Sequence, residues 1–135
     1  MVYYLGRDVK VYLTTESTEA QVDVASNEIT TTTVTSGSAG NVAATATITF
    51  TGAPNSDENI TIISTDGTSL TYISATAGNA GTSDLHFSIG GGTATSVATT
   101  LKTAIESAGG HNGKITLTRL AGVLTLTQAT AGTAG

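Results

Sequence analysis

Hydrophobic and polar residues alternate along most of the chain, which predicts a protein built mainly from β-strands. In "RDVKVYL", Val9, Val11 and Leu13 share one face, and the residues between them share the other. A period of two is typical of a half-buried strand. "QVDVA" repeats the pattern briefly, and "NEITTTTVT" is a third extended run rich in β-branched residues. The first part of the chain is therefore predicted to be extended.

A short Gly/Ser-rich stretch divides the chain into two predicted units. "SGSAG", Ser36 to Gly40, has the composition of a turn or a flexible link. We therefore predict an N-terminal β arm over residues 1–40 and a Thr/Gly-rich β module over residues 41–135.

The second unit is predicted to begin with strands joined by short turns. "NVAATATITF" predicts a strand that ends at Phe50, and "TGAPNSDEN" has the residues of a loop. In "ITIISTDGTSLTYIS", Asp66-Gly67 lies between two alternating runs. This pattern predicts a hairpin with a type I′ turn, in which both central residues have positive φ. "LHFSI" predicts another short strand.

One segment, "GGGTATSVATTLKTAIESAGG", has helical rather than strand periodicity. Its apolar stripe consists of Val97, Leu101, Ala104, Ile105 and Ala108. We predict a helix over about residues 93–108, capped by Thr93 or Thr95 and ended by left-handed Gly109-Gly110. A single helix of this kind needs a sheet to cover its stripe. The predicted fold class is therefore mainly β (α+β), with antiparallel sheets or a sandwich and one packed helix.

The last strands carry threonine where soluble proteins usually carry charge. In "GKITLTRLAGVLTLTQ", Ile115 and Leu117 are expected to face Leu124 and Leu126 across a turn near residues 121–122. The alternating threonines then form the outward face, because a β-branched hydroxyl residue suits a pleated surface. Low-charge strand edges favour pairing with another chain. The pattern therefore predicts a subunit that associates with copies of itself.

Composition supports a neutral, hydroxyl-rich surface. Of 135 residues, 29 are Thr and 16 are Gly, and only 11% are charged. Soluble domains carry about 25% charged residues. The net charge is -5, and the five fixed cations are scattered, which argues against sequence-specific nucleic acid binding. A mildly acidic surface that nucleic acid slides past is compatible with this charge.

Two further features limit the expected partners. The chain has no cysteine, so neither a disulfide framework nor a cysteine-based metal site is expected. Its opening residues lack a signal-peptide pattern, and no segment approaches the length of a membrane span. We therefore expect no membrane partner.

No catalytic, cofactor or metal site is predicted. His86 and Asp84 share a strand face, but a metal site needs three or four converging ligands. His111 is expected in a turn, and Asp57 and Glu58 of "NSDEN" match no EF-hand spacing and are expected in a solvated loop. The glycines before the helix lack the P-loop lysine, and no G-x-S-x-G elbow occurs. The chain is therefore predicted not to be an enzyme.

Two stretches resemble structural proteins of tailed bacteriophages. "YYLGRDVKVYLTTE", Tyr3 to Glu16, is similar to the opening of tail-tube-like major tail proteins. Residues 44–135, with "ATITFTGAPNSDENITIISTDGTSLTYIS", "GGGTATSVATTLKTAIESAGGHNGKITLT" and "AGVLTLTQATAG", resemble a Thr/Gly-rich module of such virions. The resemblance implies a β-sandwich-like subunit that polymerises in rings, with its N-terminal segment reaching a neighbour. The implied assembly residues are Tyr3, Tyr4, Val9, Val11 and Leu13.

The sequence thus predicts a non-enzymatic virion structural protein, first of all a tail-tube subunit whose partners are its own copies and other virion proteins. Those tail proteins are longer, so the chain is expected to be part of a longer protein. A capsid decoration protein is an alternative. Another is a carbohydrate- or receptor-binding module of a fibre, which would use aromatic platforms, and the tyrosines are Tyr3, Tyr4, Tyr12 and Tyr72. A metal-dependent enzyme is the last alternative.

Overall fold

The computed structural model describes residues 8–12, 29–35, 42–76 and 85–131 of the chain. These residues form one helix, α1 (Ala94–Glu106), and eight strands. The strands are β1 (Asp8–Tyr12), β2 (Ile29–Thr35), β3 (Thr45–Phe50), β4 (Asn59–Ile63), β5 (Ser69–Ala75), β6 (His86–Ser88), β7 (Ile115–Leu120) and β8 (Val123–Gln128). The predicted fold class, mainly β with one helix, is confirmed. No helix of the described ranges is long and apolar enough to cross a membrane.

The strands form two four-stranded sheets. Sheet A has the order β1-β4-β5-β6, and sheet B has the order β2-β3-β8-β7. Sheet B is antiparallel throughout. Sheet A is mixed, because β1 pairs with β4 and β6 pairs with β5 in parallel. The prediction of antiparallel sheets or a sandwich did not specify these two parallel pairs.

The predicted N-terminal arm contributes one strand to each sheet. β1 places Val9 in register with Ile60 and Val11 in register with Ile62, and both isoleucines are buried in the core. β2 pairs with β3, with a shift in register between Thr32 and Thr35. Tyr3, Tyr4, Leu13, "QVDVA" and the predicted boundary at residues 36–40 lie outside the described residues. The division into two units stays a prediction.

A single core lies between the two sheets and the helix. It contains inward residues of β3, β4, β5, β7 and β8 together with the buried stripe of α1. Phe50 of sheet B and Phe87 of sheet A lie 6.3 Å apart, measured between ring centroids. Burial of each large apolar side chain stabilises the fold by roughly 1.5–3 kcal/mol. The helix is therefore held by both sheets rather than by one.

The helix begins as predicted and ends differently. Thr93 is the N-cap, and it forms a capping box with Ser96. The helix ends at an extended Ser107, and Gly109-Gly110 is not left-handed. Gly110 is required for another reason, since a Cβ there would collide with backbone oxygens of the last helical turn. Ala108 lies beyond the helix and is exposed, so its predicted place in the apolar stripe is wrong.

The β4–β5 turn is a hairpin turn of a different type from the one predicted. Gly67 has φ +84, but Asp66 does not have positive φ. The Gly67 amide donates to the Ser64 carbonyl (2.9 Å), and the Ser64 amide donates to the Thr68 carbonyl (3.0 Å). This is a three-residue loop, in which a type I turn is followed by one left-handed glycine. The type I′ prediction is wrong because the loop contains one residue more.

Candidate functional site

The outer face of sheet B carries an uncharged array of threonines. Strand register aligns residues of β3, β8 and β7 in three rows: Thr45, Thr127 and Thr116; Thr47, Thr125 and Thr118; Thr49, Val123 and Leu120. We name these nine residues the threonine face. All nine are partly or fully exposed, whereas the residues that alternate with them in β3 and β8 are buried. The face is therefore the side of the sheet turned away from the core.

The threonine face follows from the period-two pattern of its three strands. In "TATIT", "ITLT" and "LTLT", threonines alternate with the residues that fill the core. Directly opposite side chains on antiparallel strands have Cβ atoms about 4.5–5.5 Å apart, so hydroxyl and methyl groups form regular rows. The register of β2 continues these rows at the positions of Thr30, Thr32 and Thr35. The result is a regular surface whose nine residues carry no charge.

The β7 side of this face is the open edge of sheet B within the described part of the chain. Thr116, Thr118 and Leu120 are exposed, and Leu120 is 81% exposed. Arg119 is the one charged residue of β7, and its guanidinium donates to the Ala121 carbonyl of its own turn (3.0 Å). The Ile115 amide donates to the His111 carbonyl (3.2 Å), so the accessible part of this edge runs from Thr116 to Leu120.

The outer face of sheet A is of a different character. Thr61 and Thr71 share a hydrogen bond between their hydroxyl groups (2.9 Å). The charged residues Asp8 and Lys10 of β1 hold register positions beside Asn59 and Thr61. The uncharged array is therefore a property of sheet B.

A second notable feature is a buried pair of polar rings. The Tyr72 hydroxyl lies 2.7 Å from His111 Nδ1, and both residues are fully buried. His111 Nε2 lies 3.3 Å from the Thr68 carbonyl, which can only accept. Nε2 therefore carries a proton, and in the neutral ring Nδ1 accepts from the tyrosine hydroxyl.

Burial changes the acidity of both rings. It raises the pKa of Tyr72 well above its ordinary value and lowers the pKa of His111 below 6.5. His111 lies in a turn as predicted, but its side chain is buried in the core, which was not predicted. Since Tyr72 is buried as well, it is not available as a surface platform for a carbohydrate.

Polar contacts continue from this pair to the β4–β5 turn. The Lys114 ammonium contacts the Asp66 carboxylate and lies 2.5 Å from the Thr68 hydroxyl. Asp66 also accepts from the Ser64 hydroxyl and from the Thr68 amide (3.0 Å). The lysine, followed by these hydrogen bonds, holds the pKa of Asp66 well below its usual range. These contacts tie the turn to the segment before β7.

The acidic loop before β4 is only partly solvated. Asp57 is exposed with φ +66, but Glu58 is only 3% exposed, so the expectation of a solvated Glu58 is wrong. Glu58 Oε1 accepts from Asn55 Nδ2 (3.0 Å), and the Glu58 amide donates to the Ser74 hydroxyl (2.9 Å). Glu58 Oε2 has no hydrogen-bond partner in the described ranges. These two hydrogen bonds connect Glu58 to Asn55 within the loop and to Ser74 of β5.

The structure brings together none of the proposed metal ligands. His86 lies in β6 in register with Ile73, and Asp84 lies outside the described residues. Across the described ranges, no three His, Asp or Glu side chains are grouped as metal ligands would be. The prediction that there is no metal site concerns the whole chain and stays a prediction.

Comparison with known proteins does not assign the chain to a family. It matches no protein-family model, and neither a curated protein nor a solved structure matches it. The resemblance to bacteriophage tail proteins therefore stays a prediction.

Sequence reasoning placed the assembly residues in the N-terminal arm, whereas the open uncharged surface lies on sheet B. The alternating threonines were the signal for that surface. The Tyr72–His111 pair had no local signal, because its members are 39 positions apart.

Proposed function

We propose that the protein is a non-enzymatic structural subunit of a virion that assembles with copies of itself through β edges and the threonine face. The supporting observation is that nine aligned residues on one sheet face carry no charge. Covering threonine methyl groups is favourable at about 25 cal/mol per Å² of apolar surface. The hydroxyl groups can exchange hydrogen bonds with water for hydrogen bonds with a neighbour. Such a face suits a contact repeated many times.

A structural role is also favoured because the polar groups with shifted pKa values bind partners within the fold. Tyr72 and His111 bind each other inside the core, where no solute meets them. Lys114 and Asp66 bind each other at the turn. The groups with shifted pKa values thus have partners within the fold, and their shifts have a structural explanation.

Within this class, a tail-tube subunit in a ring or filament is our first proposal. It rests on the sequence resemblance and on the net charge of -5, which reduces adhesion to DNA passing through a tube. A capsid decoration protein would use the same face. The fibre module is less well supported, because Tyr72 is buried.

Negative-stain electron microscopy of the concentrated chain tests the proposal. We expect rings or tubes for the unchanged protein and their loss in Thr125→Lys, which places a cation at the centre of the threonine face. Thr71→Lys is the matched control, because Thr71 is also a partly exposed threonine in a central strand but lies on sheet A.

Circular dichroism would verify that both variants fold. The proposal would be contradicted if the unchanged protein stayed monomeric at high concentration. It would also be contradicted if both variants assembled equally well. Single particles bound to purified shells instead of tubes would favour the decoration role.

A further inference from the structure

We infer that two copies of the chain join through β7, which pairs antiparallel with β7 of the second copy. The inference rests on the proposed function and identifies the strand edge and the partner. Joined in this way, the two copies of sheet B form one continuous sheet of eight described strands.

The outermost strands of the two sheets differ in how well they can pair. β6 has three residues and β1 carries Asp8 and Lys10. β2 has a shift in its ladder between Thr32 and Thr35. Bulges, charges and short length are the usual ways in which proteins block an edge.

Of these three features β7 has only a charge, which is that of Arg119. Its six residues pair with β8 without interruption, from Ile115 with Gln128 to Leu120 with Val123. The Arg119 guanidinium binds the turn of its own hairpin, which holds that charge at the end of the strand. Among the described edge strands, β7 therefore has the longest uninterrupted ladder.

The charge distribution favours a second copy as the partner. None of the acidic residues of the described ranges lies within β7 or β8, and Asp66, the one in contact with the residue before β7, is paired with Lys114. Two copies with a net charge of -5 each repel where their carboxylates meet. At β7 no carboxylate of this set meets its counterpart. The 81% exposed Leu120 would be covered there as well.

The alternation of β7 restricts the register of pairing. Ile115 and Leu117 face the core, whereas Thr116 and Thr118 face outward. Residues directly opposite each other in an antiparallel pair share a face, and a slip of one residue exchanges the faces. Among the registers that keep the faces matched, those that pair the most residues of β7 have the twofold axis through Leu117 or through Thr118. Thr118 then lies opposite either Thr116 or Thr118 of the second copy, and the threonine face continues across the junction.

Disulfide trapping tests this arrangement, because the chain contains no cysteine. In Thr116→Cys/Thr118→Cys, either permitted register places two cysteines of different copies opposite each other. Opposite residues in antiparallel strands have Cα atoms about 4.5–5.5 Å apart, within the range for a disulfide. We expect mild oxidation to give mainly covalent dimers on a non-reducing gel. Thr118→Cys alone forms them only if the axis passes through Thr118.

Thr103→Cys is the control for random collision, since Thr103 is exposed on α1. Thr118→Lys provides a test without a covalent bond, because it places two ammonium groups near each other across the junction. We expect it to weaken self-association at least tenfold in sedimentation experiments, with partial recovery at high salt.

The results separate this inference from the proposed function. Assemblies in micrographs together with no more trapping in the double variant than in Thr103→Cys would overturn the β7 junction alone. Trapped dimers that never form rings, tubes or shell contacts would support the junction and contradict the virion role. A monomeric protein without trapping would overturn both.

Discussion

The two hairpins β4–β5 and β7–β8 have the same alternating pattern, but different contacts hold their turns. The β4–β5 turn is bound by residues distant in sequence, since Lys114 contacts Asp66 and His111 donates to the Thr68 carbonyl. The β7–β8 turn has one side-chain contact, a local one from Arg119 to the Ala121 carbonyl, and its distant contact is made by backbone, from the Phe50 amide to the Gly122 carbonyl (2.9 Å). Leu120 at its edge is 81% exposed.

This difference shows how one pattern serves two purposes. In β4–β5, polar side chains on the turn bind the segment after α1, and the hairpin is closed within its own chain. In β7–β8, the outward positions are threonines with no long-range partner of that kind among the described residues. The outer side of the second hairpin is therefore available to another molecule.

The largest expected difference between the hairpins concerns stability. His111→Ala removes a fully buried ring and leaves the Tyr72 hydroxyl without its partner. We expect the free energy of unfolding to fall by about 2–4 kcal/mol. Leu120→Ala, at the open hairpin, should change it by less than about 0.5 kcal/mol. Urea denaturation of both variants measures the contrast, and a similar loss in both would show that the rings do not secure the fold.

The glycines of the two turns provide the next comparison. A Cβ at Gly122 would lie 2.6 Å from the Phe50 carbonyl oxygen and 2.8 Å from Ala94 Cβ, so Gly122→Ala should cost about 1–3 kcal/mol. At Gly67 there is open space but φ is +84, and Gly67→Ala should cost about 1 kcal/mol. Thermal unfolding orders the two variants. A larger loss for Gly67→Ala would mean that the Gly122 turn moves to accept a side chain.

The smallest expected effect is the pH dependence that His111, which binds the β4–β5 hairpin, gives to the free energy of unfolding. Because burial lowers its pKa, the unfolded chain takes up a proton near pH 6.5 while the folded protein does not. The free energy of unfolding should be at its full value above pH 6.5 and decline as pH falls, by at most about 1.4 kcal/mol per pH unit.

His111→Gln should abolish this slope, because it removes the buried ring whose pKa is lowered. Urea titrations at about pH 7.5 and about pH 5.5 measure it, above the range in which ordinary carboxylates take up protons. An equal slope in both proteins would assign the dependence to another group.

Local patterns predicted the elements better than their connections. The alternation in "TATITF" predicted β3, and the stripe of Val97, Leu101 and Ile105 predicted α1 with Thr93 as its cap. The type I′ turn failed because one extra loop residue changes which position needs positive φ. The mixed character of sheet A could not be predicted either, since a parallel strand has the same alternation as an antiparallel one.

The candidate surface was predictable in kind but not in place. The threonines of β3, β7 and β8 were recognisable as outward residues, but their alignment in rows depends on pairing between strands distant in sequence. Val9 and Val11, two of the predicted assembly residues, lie in a strand that pairs with β4, and their role in assembly stays a prediction.

The sequence by itself determined which residues alternate, where the helix begins, and that threonine rather than charge lies on the outward positions. These properties depend on neighbours within a few residues, so they are present in the local pattern. The tertiary structure decided that His111 is a core residue, that Glu58 is buried and that β7 lies at an edge. Each of these outcomes depends on contacts between distant segments, because burial and edge position belong to the packed molecule and not to any one segment.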